Sequence, residues 1–247
     1  MKAAATAQLR LLDLQAEDTA IAQLEHRRRA LPEHAAIAEA RAVRVRLQQD
    51  LLAARTRVAD LQLEVDKAEA DLVPVRDRRV RDQHHVDNGG VTDPKQLNAL
   101  LDEITHLGRR IGDLEDIELE VMEELEAATG RHGMLANELT EVENSMRALM
   151  AARDEQVSVL DADLNVHQGK RAAIAAEIPD DLLALYDKIR VRSGGLGAAA
   201  LRGRRCSGCQ LEATPMALAE YAAAGEDAVL RCEECERVLV RIGAVEA

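Results

Sequence analysis

The chain has 247 residues, 47% hydrophobic and 31% charged, with no Phe, no Trp and two Tyr, and a formal charge of −13. Aromatic side chains supply the largest single burials in compact cores, so a globule built almost wholly from Ala, Leu, Val and Ile is a poor fit and an elongated helical protein a better one. The same scarcity argues against binding bases by ring stacking, and the negative charge argues against coating a polyphosphate wholesale, so any nucleic-acid contact has to be local.

Met1 to Arg10 lacks the apolar run of a signal peptide, and no stretch approaches the ~18 apolar residues of a membrane span, so a cytoplasmic protein without membrane contact is expected. Leu14, Ile21, Leu24 and Leu31 form a short seam in a helix over about 5–30, which stops at Leu31-Pro32 because proline disfavours helical geometry in the residue before it. A second helix is predicted over 34–86. From Leu47 its apolar positions run Leu51, Ala54, Val58, Leu61, Val65, Ala68, Leu72 and Val75, steps of four and three that mark a heptad seam.

The pattern fades into Arg76, Arg78, Arg79, Arg81, His84 and His85, and Asn88-Gly89-Gly90 break it. Within this turn, 87–93, Asp93-Pro94 opens a third helix, an acceptor side chain before a first-turn proline. The third helix, 94–176, carries the rhythm through Leu97, Leu100, Ile104, Leu107, Ile111 and Leu114 and on to Leu160. Glu118, His132, Arg153 and Gln156 interrupt the seam, as polar residues that fix register do. At 1.5 Å per residue this helix spans roughly 120 Å and the second only about 80 Å; the N-terminal helix makes up the difference. The predicted fold is mainly α: a long antiparallel coiled-coil helical hairpin over 1–176, with the N-terminal helix beside the end of the long one.

A short helix and linker occupy 177–192, with Leu182, Leu183, Leu185, Tyr186 and Ile189 apolar. After Ser193-Gly194-Gly195-Leu196-Gly197 the heptads vanish and a small module, 193–247, begins. It holds all four cysteines, Cys206-x2-Cys209 and Cys232-x2-Cys235, with 22 residues between the pairs. Two such knuckles place four thiolates around one metal ion, and a reducing cytosol disfavours disulfides. Structural zinc on Cys206, Cys209, Cys232 and Cys235 is the reading, against rubredoxin-like iron or a redox pair. A terminal module this small and this poor in aromatics has too little apolar volume to order itself unaided, and metal binding supplies about 10 kcal/mol or more. A strand near 198–202, a helix capped by Thr214-Pro215 and reaching Tyr221, and a hairpin from 228–230 and 237–242 are predicted around it.

Four thiolates fill the shell of the ion and leave no position for a catalytic water. Arg204, Arg205, Arg231 and Arg237 flank the knuckles and offset the negative charge of the site. Arg190, Arg192, Arg202, Arg204 and Arg205 are the candidates for contact with a nucleic acid or another partner. Other signals have plainer explanations. Glu103-x-x-His106 has half of a di-iron spacing and no second half. Asp113 to Glu126 holds eight carboxylates with no Lys or Arg, a solvated belt that repels nucleic acid. No phosphate-binding loop, H-E-x-x-H pair or nucleophile elbow occurs, so no enzymatic activity and no small-molecule substrate are expected.

Leu182-Leu183-Ala184-Leu185-Tyr186-Asp187-Lys188-Ile189-Arg190, the Gly-rich entry, Cys206-Ser207-Gly208-Cys209 and Arg231-Cys232-Glu233-Glu234-Cys235-Glu236-Arg237 together resemble a bacterial family. Its members are coiled-coil proteins with a C-terminal C4-type zinc ribbon domain, described as nucleic-acid-binding. The resemblance implies zinc on the four cysteines and an adaptor role; some relatives are linked to alternative sigma factors, flagellar regulation and secretion. This chain departs from the family at Glu236, where relatives commonly carry Gly after the last cysteine. The resulting expectation is a non-enzymatic zinc-binding adaptor that recognises a protein or nucleic-acid partner, RNA or DNA, through a ribbon presented on a coiled-coil stalk, with a link to transcription or RNA regulation. A purely structural protein–protein scaffold or chaperone-like factor is the alternative, and a metal-dependent hydrolase a distant third. The seam leaves the oligomeric state open.

Overall fold

A computed structural model describes residues 1–243. The protein is a long helical hairpin with a small C-terminal sheet that carries the cysteines. The described residues form two compact units, one from Met1–His34 with the residues from Met150 onward, the other Ala35–Leu149.

The second unit consists of two antiparallel helical arms. They are drawn from α2 (Pro32–Asp87) and α3 (Pro94–Ala175), joined by a turn in which Gly89 adopts φ +64°. Asp93 Oδ1 accepts from the Lys95 N–H at 3.2 Å, capping α3 ahead of its first-turn proline. The seam is thin. Ile37, Leu47, Leu61 and Leu72 of α2 and Leu107, Ile111 and Leu114 of α3 are buried, and Val75 packs beside the Leu72, Ile111 and Leu114 cluster. Pairs between the arms, Arg57–Glu124, Arg76–Glu115 and Arg78–Glu103, engage two of the carboxylates of the acidic belt. Helix α2 continues through Pro74, whose ring removes one backbone donor from the helix interior.

In the first unit α1 (Ala5–Arg29) lies against the C-terminal part of α3. Leu24 packs on Leu160 and Leu164, and Arg28–Asp161, Glu17–His167 and Arg10–Glu177 pair across. Helix α4 (Asp180–Arg192) leads into a four-stranded sheet of order β2-β1-β4-β3. Its strands are β1 (Ala198–Arg202), β2 (Arg205–Cys206), β3 (Leu230–Arg231) and β4 (Val238–Arg241), with α5 (Pro215–Ala223) inserted between β2 and β3. β1 and β4 pair in parallel, Ala198 beside Val238; the other pairings are antiparallel. Two cores meet at this sheet. Leu11, Leu14, Leu182, Tyr186 and Val240 fill one, and Leu218, Tyr221 and Leu239 pack with Cys206 and Cys232 in the other.

Candidate metal centre

The two cysteine pairs share one backbone plan. In the first, the Gln210 N–H donates to the Cys206 carbonyl at 2.9 Å and the Cys206 N–H to that of Leu211 at 3.1 Å. In the second, the Glu236 N–H donates to the Cys232 carbonyl at 2.9 Å and the Cys232 N–H to that of Arg237 at 3.0 Å. Each loop closes by turning left-handed at the residue after its second cysteine, Gln210 at φ 63° and Glu236 at φ 58°. A residue with a Cβ pays about 1 to 2 kcal/mol for that geometry, which is the physical reason for glycine there. Glu236 keeps the turn despite its side chain, which Arg231 holds at 3.3 Å. The third position of the first loop needs glycine for another reason. A Cβ on Gly208 would sit 2.9 Å from Arg237 Cδ and 3.0 Å from Ala199 Cβ.

All four Sγ atoms lie within 4.8 Å of one another. Cys206 and Cys235 are 3.9 Å apart, Cys209 and Cys232 3.8 Å. A tetrahedron of sulfurs with metal–sulfur bonds of about 2.3 Å has edges of about 3.8 Å, so the residues present fit a single closed-shell metal ion. Cys206 and Cys232 are buried, Cys209 and Cys235 half-buried. Burial pushes the Cys206 thiol up, and that of Cys232 up to about 12. Burial also opposes ionisation of Cys235, but hydrogen bonds from the Arg237 backbone and side chain, with those from Cys232 and Cys209, outweigh it and bring the thiol down to about 7. The Gly208 N–H points at Cys206 Sγ from 3.4 Å, a donor aimed at a thiolate.

Helix α5 braces the second loop. The Thr214 hydroxyl accepts from the Ala217 N–H as an N-cap, and the Glu233 carboxylate accepts from the Thr214 N–H at 2.7 Å. Tyr221 donates to the Arg231 carbonyl at 3.0 Å.

The candidate contact arginines have different surroundings. Arg190 is turned inward, pairing with Asp18 and Asp187. Arg192 lies 3.9 Å from Glu236, and Arg205 pairs with Glu212. Arg202, the last residue of β1, and Arg204, on the turn to β2, are exposed, with no carboxylate partner among the described residues.

Sequence reasoning missed how α1 grips the ribbon. Gln15 Oε1 accepts from the Gly197 N–H at 2.6 Å and from the Tyr186 hydroxyl at 3.2 Å, while its Nε2 donates to the Gly195 carbonyl. Asp18, only 6% exposed, accepts from the Tyr186 hydroxyl at 2.6 Å and from Arg171 Nε at 2.8 Å. Gln8 donates to the carbonyls of Ala3 and Glu226. Ahead of α1 the chain adds a short edge to the ribbon, with Ala3 N–H donating to Asp227 and Val229 N–H to Met1. The signal was present. Gln8, Gln15 and Asp18 are polar residues spaced seven and three apart beside Leu11 and Leu14, on a face that should otherwise be apolar.

Fold and site together define a coiled-coil hairpin protein with a cysteine-lined ribbon able to hold a metal ion. Comparison with known proteins makes this specific: the chain belongs to the CT398-like coiled coil hairpin domain family, whose model matches residues 14–194. It is 33% identical over 246 residues to an uncharacterized protein of Mycobacterium tuberculosis, covering 100% of both chains. A solved structure from Mycobacterium smegmatis superposes with a TM-score of 0.83 at 33% identity, covering 98% of this chain and 100% of that one. CT398 from Chlamydia trachomatis shares the fold, with a TM-score of 0.68 at 18% identity over 96% and 98% of the two chains.

Proposed function

We propose that the chain is a non-enzymatic adaptor whose ribbon, ordered by one structural zinc ion, recognises a protein or nucleic-acid partner. The observation that carries this reading is the closed sulfur shell. Cys206, Cys209, Cys232 and Cys235 sit at distances suited to zinc, and four thiolates leave no position for substrate or activated water. Zinc there supplies folding energy rather than chemistry. Its cytoplasmic setting follows from the need to keep four thiols reduced. Recognition falls to the surface beside the knuckles, where Arg202 and Arg204 are exposed, and a link to transcription or RNA regulation rests on the family resemblance alone.

Two measurements test this. Elemental analysis of reduced protein should give one zinc per chain, and absence of any stoichiometric metal ends the reading. Affinity purification after crosslinking, with and without nuclease, should return a partner. A partner that survives digestion is a protein, and one lost on digestion is held through nucleic acid. Of these, a protein partner is favoured, because Arg190, Arg192, Arg205 and Arg231 already face carboxylates of the chain itself.

A further inference from the structure

A groove of about 480 Å³ lies between α1 and β1 in the first unit. Leu12, Ala16, Ala20 and Gln23 form its helical wall, and Ala199 and Ser207 face them from the ribbon. Small side chains at Ala16, Thr19 and Ala20 keep it open. In a chain of net charge −13, no carboxylate lines it. Its one charged lining residue is Arg202. Arg27 stands one turn beyond Gln23 on the same face of α1, and Arg204 is two residues past Arg202. Arg27, Arg202 and Arg204 have no carboxylate partner among the described residues, whereas the neighbouring Arg28, Arg29 and Arg205 each do.

The backbone decides what form an occupant takes. β1 is bonded to β4 on one side; on the other β2 covers only Leu201 and Arg202, and the Ala198 and Ala200 N–H groups are taken by Gln15 Oε1 and Ser207 Oγ, so no free strand edge is offered and a guest segment must satisfy its own backbone. An α-helix does so. The wall from Leu12 to Arg27 is about 22 Å long at 1.5 Å per residue, the length of roughly four helical turns. We infer that this groove docks an amphipathic helix of a protein partner, with apolar side chains against Leu12, Ala16 and Ala20 and acidic residues facing Arg27, Arg202 and Arg204. The inference rests on the adaptor reading and names its partner's chemistry.

The test is a selection of phage-displayed helical peptides on the zinc-loaded full chain. Enriched peptides should carry apolar residues at i, i+3, i+4 and i+7 with Asp or Glu flanking them, and bind more weakly as salt rises. Binding should fall at least tenfold in Ala20→Glu and in Arg202→Glu, at unchanged metal content and helicity, and stay unchanged in Arg41→Glu, a residue outside the first unit. A photo-crosslinker at the centre of the peptide should label 12–27 or 196–208 of the unaltered chain, which makes the result independent of any variant's folding. Enrichment of basic or non-helical peptides, crosslinks elsewhere, or full binding by both variants overturns the inference. So does an RNA oligonucleotide that binds and is lost with the same two substitutions while no peptide is selected. Peptides that dock on another surface leave the adaptor reading intact; that reading fails separately, in the nuclease-treated pull-down.

Discussion

The two units of this chain are stabilised in different ways. In Ala35–Leu149 a one-dimensional seam repeats every three or four residues, and outside it large apolar side chains such as Leu52, Leu63 and Met134 stay about two-thirds exposed. In the unit built from the chain ends, residues 168 to 218 positions apart are joined by single hydrogen bonds, and three buried polar side chains of α1 satisfy ribbon backbone and a tyrosine. The first kind of stability is additive along a rod, and the second is concentrated in a few groups that fail together.

Breaking the proposed metal shell should separate the two most sharply. Chelation, or Cys232→Ser, should remove about 10 kcal/mol or more of ordering energy from the ribbon while the hairpin stays helical. Hydrogen exchange checks this, with protection lost over 198–241 and kept over 47–75; equal loss in both would show that the distinction is false. Next in size is Asp18→Ala, which strips the acceptor from Tyr186 and Arg171 and should cost about 3 kcal/mol in the first unit alone, read from denaturant unfolding. In the other direction, Pro74→Ala should stabilise the hairpin by about 2 to 3 kcal/mol, raising exchange protection around 70–78 and nowhere in the ribbon.

Alkali offers a milder probe. Burial and the hydrogen bond to Asp18 raise the Tyr186 phenol above its ordinary 10.0. Its contribution is therefore complete below pH 10.0 and drains away above it, at up to about 1.4 kcal/mol per pH unit. Tyr186→Phe should abolish that slope, and an unchanged slope would place its origin elsewhere. Smallest is Glu236→Gly, which relieves the left-handed strain but loses the contact with Arg231, for a net gain of about 1 kcal/mol in ribbon stability. A loss would mean that the ion pair outweighs the backbone.

The hairpin was legible because its physics is periodic. Leu47 to Val75 announces a supercoiled helix without reference to anything distant, and the Asn88-Gly89-Gly90 break locates the turn. The clustering of the four cysteines was legible because their spacing carries their geometry. What escaped was the set of hydrogen bonds that α1 makes to groups far along the chain. Arg190 and Arg202 look alike in sequence, yet one faces Asp187 of its own helix and Asp18 of α1, and the other has no carboxylate partner among the described residues. Helix α2 runs through Pro74, as the unbroken helix over 34–86 anticipated, with the seam residues Leu72 and Val75 on either side packed in one cluster.

The grip of α1 on the ribbon also has a consequence in time. Gln8, Gln15 and Asp18 leave the ribosome long before Tyr186, Gly197 and Glu226, the groups they bond. At 5 to 20 residues per second, translation separates them by roughly ten to forty seconds. Until Ile178 and Leu182 follow, late in that interval, the greasy side of the first helix, with Leu11 and Leu14, has nothing native to lie against. The nascent chain must either shelter it in transient company or leave the helix frayed until α4 emerges.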